Sequence, residues 1–191
     1  MKPTPTENKL TMRTGGFATL VETLEYAAQG DTGFNFYRGN GQLQDVLTYT
    51  LLKKKAQAVA GRLLALGLER GARVALIADT DPDFIIFFFA CQYAGMVPVP
   101  LPAPNSLGGR LAYEALLKRL MESCRAEVAI APKGFFKYLL EAAKGLALRF
   151  VGTPDMFAAL PEDRGVLNPS GPKELAYIQF TSGSTRFPRG V

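Results

Sequence analysis

"RVALIADTDPDFIIFFFACQYAGMVPVPL", Arg73 to Leu101, is the stretch on which the fold turns. Its first six residues, "RVALIA", form an apolar run of strand length, too continuous for a strand with one wet face, and so predict a strand covered on both sides. Asp81 and Pro82 then suit the cap and first turn of a helix: Asp offers a carboxylate to free backbone N–H groups, and Pro has no N–H to leave unpaired. From Phe84 to Met96 the apolar residues fall on nearly every side of that helix, as in a core element. "VPVPL" reads as a second extended segment. The same run tempts a membrane reading, but a spanning helix needs roughly 20 uninterrupted apolar residues. Gln92, Gly95, Pro98 and Pro100 interrupt this one. A buried helix running into a buried strand is the better account, with no membrane span.

Working outward, the alternation repeats. "GRLAYEALLKRLMESC" reads as a helix, "EVAIA" as a strand, "GFFKYLLEAAKG" as a helix ended by Gly145, and "LRFV" as a strand. A Pro- and Gly-rich loop is expected from Pro154 to Pro172, and "LAYIQF" as a last strand. Upstream, "TYTLLKKKAQAVAGRLLALG" carries one apolar stripe, Leu52, Ala56, Val59, Ala60, Leu63 and Leu64, and Gly67 with Leu68 fits a C-terminal cap. "FNFY" and "VLTY" around Gly39–Gly41 read as a hairpin. "TLVE", Thr19 to Glu22, fits a capping box opening a helix that Gly30 would stop. Alternating strands and helices imply crossover connections and an α/β fold: a mostly parallel sheet with helices on both faces. Residues 1–16 are expected to be a disordered lead-in, and 17–191 an incomplete α/β domain.

Composition narrows function. The chain has 191 residues, about half of them apolar, and a net charge of +5. The positive charge is scattered. Its densest run, Lys53–Lys55, lies on the polar side of a helix pattern, so it reads as a solvated face rather than a nucleic-acid surface. There are no histidines, which removes His-based acid–base catalysis and His metal ligands. Cys91 and Cys124 sit in apolar helix patterns and read as buried free thiols of a reducing compartment. Residues 1–16 lack the apolar core of a secretory signal.

The chemistry gathers at the C-terminal end, "YIQFTSGSTRFPRGV", Tyr177 to Val191. A parallel open sheet binds ligands at the carboxyl ends of its strands. A loop following "LAYIQF" stands at such an end. Gly183 lets consecutive N–H groups converge, Thr181, Ser182, Ser184 and Thr185 add hydroxyls, and Arg186 and Arg189 add forked cationic donors. Composition alone leaves two readings open: an anion-binding loop, or a surface turn of turn-forming residues. The P-loop of nucleotide triphosphatases is excluded, since it needs four residues between its Gly and its Gly-Lys-Ser/Thr, whereas six lie between Gly183 and Gly190.

"FTSGSTRFPRGV" resembles the phosphate-loop signature of the adenylate-forming superfamily, Thr/Ser-Ser-Gly-Ser/Thr-Thr-Gly-x-Pro-Lys-Gly, which includes acyl-CoA synthetases, luciferases and peptide-synthetase adenylation domains. Arg186 stands where most members have Gly, and Arg189 where most have Lys. Arg after "TSGST" is similar to the fatty acyl-AMP ligase branch. "LTYTLLKKKAQAVAGRLLALGLERGARVALI" and "DFIIFFFACQYAGMVPVPLPAP" also look like family segments, so the resemblance spans about Phe34 to Val191.

The resemblance implies a ligase. A fatty acid carboxylate attacks the α-phosphate of ATP, giving acyl-AMP and pyrophosphate, and the acyl group passes to an acyl carrier protein. It implies that Thr181, Ser182, Gly183, Ser184, Thr185, Arg189 and Gly190 hold ATP phosphates, that Mg²⁺ shares their charge, and that the protein is cytoplasmic. It places the adenine pocket, the acidic Mg²⁺ ligand, the ribose-binding Asp and a catalytic lysine beyond Val191. The chain is therefore expected to be the N-terminal part of a longer enzyme, inactive alone, with no catalytic residue of its own. Two alternatives stand beside it: a long-chain acyl-CoA synthetase, and a non-catalytic module that binds a nucleotide or a partner.

Overall fold

The computed structural model describes residues 10–104, 109–163, 165–181 and 189–191, with Arg189 described at the backbone only. Of the expected lead-in, residues 1–9 lie outside the described residues. Residues 10–16 form no helix or strand but run back along the first helix, where the Arg13 guanidinium sits 4.2 Å over the Phe17 ring and the Tyr26 hydroxyl donates to Thr11 O.

That helix, α1 (Leu20–Ala27), opens at Thr19, whose hydroxyl accepts from Glu22 N–H at 3.1 Å; the Glu22 carboxylate reaches back to Ala18 N–H at 2.8 Å. It ends at Ala27, ahead of Gly30, where the ladder gives way to tighter turns, Gln29 N–H to Tyr26 O and Gly30 N–H to Ala27 O at 3.1 Å each. β1 (Gly33–Tyr37) and β2 (Leu43–Thr48) form the expected antiparallel hairpin. α2 (Tyr49–Ala65) buries Leu52, Ala56, Ala60 and Leu63 completely, and Gly67 closes it at φ +66°.

β3 (Arg73–Ala78), α3 (Pro82–Ala94), β4 (Val97–Pro102), α4 (Gly109–Cys124), β5 (Ala126–Ile130), α5 (Phe136–Ala142) and β6 (Phe150–Gly152) follow in strict alternation. The four strands form one parallel sheet in the order β4-β3-β5-β6. Side chains alternate across it. Val74, Leu76, Val128 and Ile130 pack with α1, α2 and α3 on one face, while Ala75, Ile77, Val99 and Leu101 pack with α4 and α5 on the other. The α/β reading with helices on both faces holds. Asp81 caps α3 at 2.8 Å from Phe84 N–H, and Gly95 ends it in the left-handed region. Cys91 and Cys124 are buried free thiols, and burial pushes the Cys91 thiol far above its ordinary range. Among the described residues, no helix is long and apolar enough to cross a membrane.

Two expectations change. The Pro154–Pro172 stretch is not all loop: it begins with α6 (Pro154–Ala158), capped by the Thr153 hydroxyl. Phe157 makes that turn worthwhile, fully buried with ring centroids 5.1 Å from Phe87 and 5.2 Å from Phe150. "LAYIQF" does not form a full strand. Only β7 (Phe180–Thr181) is regular, paired antiparallel with β8 (Arg189–Gly190). The cause lies in its neighbour. Val97 N–H bonds Ala72 O at 2.9 Å, so odd-numbered residues of β4 face β3 and even-numbered ones face outward. The outward positions are Pro98, Pro100 and Pro102, which have no N–H to give. The outer edge of β4 offers carbonyls alone, and the segment beside it takes one of them, Ile178 N–H to Pro98 O at 3.2 Å.

Candidate phosphate-binding site

α3, which follows β3, and α4, which follows β4, pack on opposite faces of the sheet. β3 and β4 stay paired to their carboxyl ends, at Ala78 and Pro102, and a cleft opens along the outer edge of β4, beneath α4. It is a cleft of about 340 Å³ lined by Ala78 and Leu101 at the strand ends, Leu116 and Leu120 of α4, and Phe180 and Thr181 of β7.

The two ends of the candidate loop meet beside this cleft. Thr181 and Arg189 are Cα partners in the β7–β8 ladder, and Phe180 faces Gly190. Gln179 and Val191 continue it, exchanging N–H···O bonds of 2.9 and 3.0 Å. The hairpin thus ties both ends of the hydroxyl- and glycine-rich segment together at the carboxyl edge of the sheet. Of the expected phosphate-binding residues, Thr181 and Gly190 stand in this hairpin, as does the Arg189 backbone. Ser182, Gly183, Ser184 and Thr185 lie outside the described residues, as does Arg186.

On the other flank of the β3 end, Asp81 and Asp83 line a small apolar crevice with Leu76, Phe87 and Ile130. Burial first, and then neighbouring carboxylates, raise both carboxyl pKa values. Asp81 is committed to its cap. Among the described residues, no group of three or more Asp, Glu or Cys side chains could hold a metal ion.

The chain leading into the hairpin is held by side chains that the sequence reading did not assign. The Arg70 guanidinium donates to both carboxylate oxygens of Glu174, at 2.6 Å each, and to Asn168 O and Pro169 O, at 2.7 and 2.8 Å. Glu174 also accepts from Gly171 N–H at 2.6 Å. The Arg70 pair first, and then this N–H, hold the Glu174 carboxyl at about 2. Gln92, 2% exposed, donates its side-chain amide to Ala176 O, and its backbone carbonyl accepts from Ser170 N–H at 2.8 Å. Gln92 was visible in the sequence as a polar break in an apolar helix; Arg70 carried no such signal.

A family model described as AMP-binding enzyme matches residues 26–191. The chain belongs to that family. A Caulobacter vibrioides protein named for acyl-CoA synthetase activity is 44% identical over 98% of this chain and 32% of its own length. The long-chain-fatty-acid–AMP ligase FadD32 of Mycolicibacterium smegmatis is 34% identical over 76% of this chain and 23% of its own. JamA of Moorena producens, a medium-chain-fatty-acid–[acyl-carrier-protein] ligase, is 26% identical over 92% of this chain and 30% of its own. A solved structure from a study of fatty acyl-adenylate ligases from E. coli and L. pneumophila superposes with a TM-score of 0.88 at 44% identity, covering 95% of this chain and 33% of that one. The chain spans about a third or less of the length of these relatives.

Proposed function

We propose that this chain supplies the ATP phosphate-binding part of a fatty acid–AMP ligase: the complete protein joins a fatty acid to the AMP moiety of ATP with release of pyrophosphate, then passes the acyl group to an acyl carrier protein. The carrying observation is the β7–β8 hairpin, which ties Thr181 and Arg189, the two ends of the Thr-Ser-Gly segment, together beside the carboxyl ends of β3 and β4, in a chain of the AMP-binding enzyme family. Family membership and the fatty acyl-adenylate ligase likeness support the adenylation half. JamA's name supports the carrier-protein acceptor, while the name of the Caulobacter relative favours coenzyme A as the second reading.

In this reading Thr181, Ser182, Ser184 and Thr185 donate hydroxyls, Gly183 and Gly190 let the backbone approach the phosphates closely, and Arg189 provides the cationic fork. The fatty acid carboxylate oxygen forms the new bond to the α-phosphorus as the bond to pyrophosphate breaks. The chain contributes position and charge, which such a displacement mainly requires. Mg²⁺, when bound with ATP, neutralises phosphate charge; the described residues offer it no ligand cluster, so no step here depends on one. The apolar wall of the adjoining cleft offers an alkyl chain a surface.

The test is to incubate the complete protein, expressed from its natural gene, with radiolabelled fatty acid, ATP and Mg²⁺, and then to add either an acyl carrier protein bearing phosphopantetheine or coenzyme A. Acyl-AMP that is discharged to the carrier protein is the expected result. Discharge to coenzyme A alone would establish the second reading, and absence of acyl-AMP would refute the adenylation reading.

A further inference from the structure

The proline edge of β4 raises a question of register. A strand beside a sheet is normally fixed along its length by a ladder of N–H···O bonds. Here Pro98, Pro100 and Pro102 can give none, and residues 175–179 are not regular strand. Among the described residues, one backbone bond to β4, from Ile178 N–H to Pro98 O, lies between the strap at residues 168–174 and the hairpin that starts at Gln179. A single bond of 3.2 Å does not fix how residues 175–178 sit along β4.

We infer that Arg70 and Gln92 are positioning residues that set the register of the segment carrying the candidate phosphate loop. Arg70 grips the strap at three points: the Glu174 carboxylate, Asn168 O and Pro169 O. The fork is planar and rigid, so four donors in fixed directions define orientation as well as attachment. Gly95 makes room for it, since a Cβ there would lie 2.3 Å from Arg70 Nη1. Gln92 holds the chain on both sides of the Glu174 turn, at Ser170 N–H and Ala176 O, from a helix position that is otherwise apolar. Ala176 is two residues from Ile178 and five from Thr181. The clamps thus do what the missing ladder cannot, Gln92 from α3 and Arg70 from the turn that leads into β3. This rests on the reading that the loop meets phosphate.

The experiment uses the complete protein in wild-type, Arg70→Ala, Arg70→Lys and Gln92→Leu forms. Amide hydrogen exchange of residues 175–181 is read by mass spectrometry, and KM for ATP and kcat by fatty-acid-dependent exchange of pyrophosphate into ATP. Gln92→Leu should speed exchange in 175–181 by about tenfold, the scale of one buried hydrogen bond, and Arg70→Ala, which removes four bonds, by at least as much, with β3 and β5 amides unchanged. KM for ATP should rise by a similar factor while kcat at saturating ATP stays within about twofold. Arg70→Lys, which keeps the charge without the fork, should fall between. Pro100→Ala, which returns a donor to the β4 edge, should restore part of the protection and of the KM in the Arg70→Ala background; a residue that only stabilised the fold would not be rescued this way. Unchanged exchange at 175–181 in Arg70→Ala, or loosened exchange with an unchanged KM for ATP, overturns the inference. Wild-type exchange at 178–190 that ignores added pyrophosphate strikes the phosphate reading instead, and leaves the clamps to be judged by exchange alone.

Discussion

Gly95 serves two neighbours. It ends α3 at φ +67°, a conformation that costs a residue with a Cβ about 1–2 kcal/mol. It also leaves the space that Arg70 fills, with Asn168 O 3.0 Å from where a Cβ would stand. Gly95→Ala should therefore lower unfolding free energy by at least about 1 kcal/mol in urea titration, and should loosen the strap as well. Glu174 gives the same clamp a pH signature. Its folded carboxyl titrates near 2, against 4.5 for a free one. A depressed pKa stabilises the folded state above the free value, and the contribution drains away as pH falls from about 4.5 toward 2. The thermal midpoint of the wild type should lose its advantage over Glu174→Gln across that window; an advantage that persists at the bottom of it would show that the charge on Glu174 is not what the clamp uses. At this scale the sequence was partly legible. The Asp81 cap and the buried cysteines follow from local pattern, whereas Arg70 and Glu174 are 104 residues apart, and nothing local announces a partner at that distance.

The elements sort by how local their causes are. "RVALIA", the Phe84 helix and "VPVPL" appear where periodicity placed them, because a strand buried on both faces and a core helix write continuous apolar runs. α6 was missed because five residues carry too little periodicity to read, and its stability comes from the burial of Phe157 rather than from propensity. Phe157→Ala should cost about 3–5 kcal/mol, the range for an aromatic removed from a packed core, measured as a shift of the urea midpoint at constant slope. A shift under 1 kcal/mol would mean that α6 is not anchored by that ring. "LAYIQF" was over-read for the opposite reason. Its apolar composition suits a strand, but strand pairing is decided by the partner, and the partner edge is proline. Asp81→Ala should cost about 1 kcal/mol through loss of the α3 cap.

For the whole molecule, alternation of strands and helices was enough to give the parallel sheet and its covered faces. The candidate site rests on one motif of the sequence, of which only Thr181, Gly190 and the Arg189 backbone belong to the described residues. The relatives run about three times the length of this chain or more, and the resemblance assigns the adenine, ribose and lysine elements to segments outside these residues. The 191 residues alone should therefore form no acyl-AMP from fatty acid and ATP, and turnover above a protein-free blank would contradict that. The central claim is that this loop holds ATP phosphates, and the most direct measurement is the ATP dependence of fatty-acid-driven pyrophosphate exchange in the complete protein, for wild type, Arg189→Ala and Arg189→Lys. Loss of a charge-assisted contact of about 1.5–3 kcal/mol predicts that Arg189→Ala weakens ATP use by roughly one to two decades, with partial recovery in Arg189→Lys. An Arg189→Ala protein with the wild-type ATP dependence would contradict the assignment of Arg189 to phosphate and leave the loop's role to its hydroxyls and backbone.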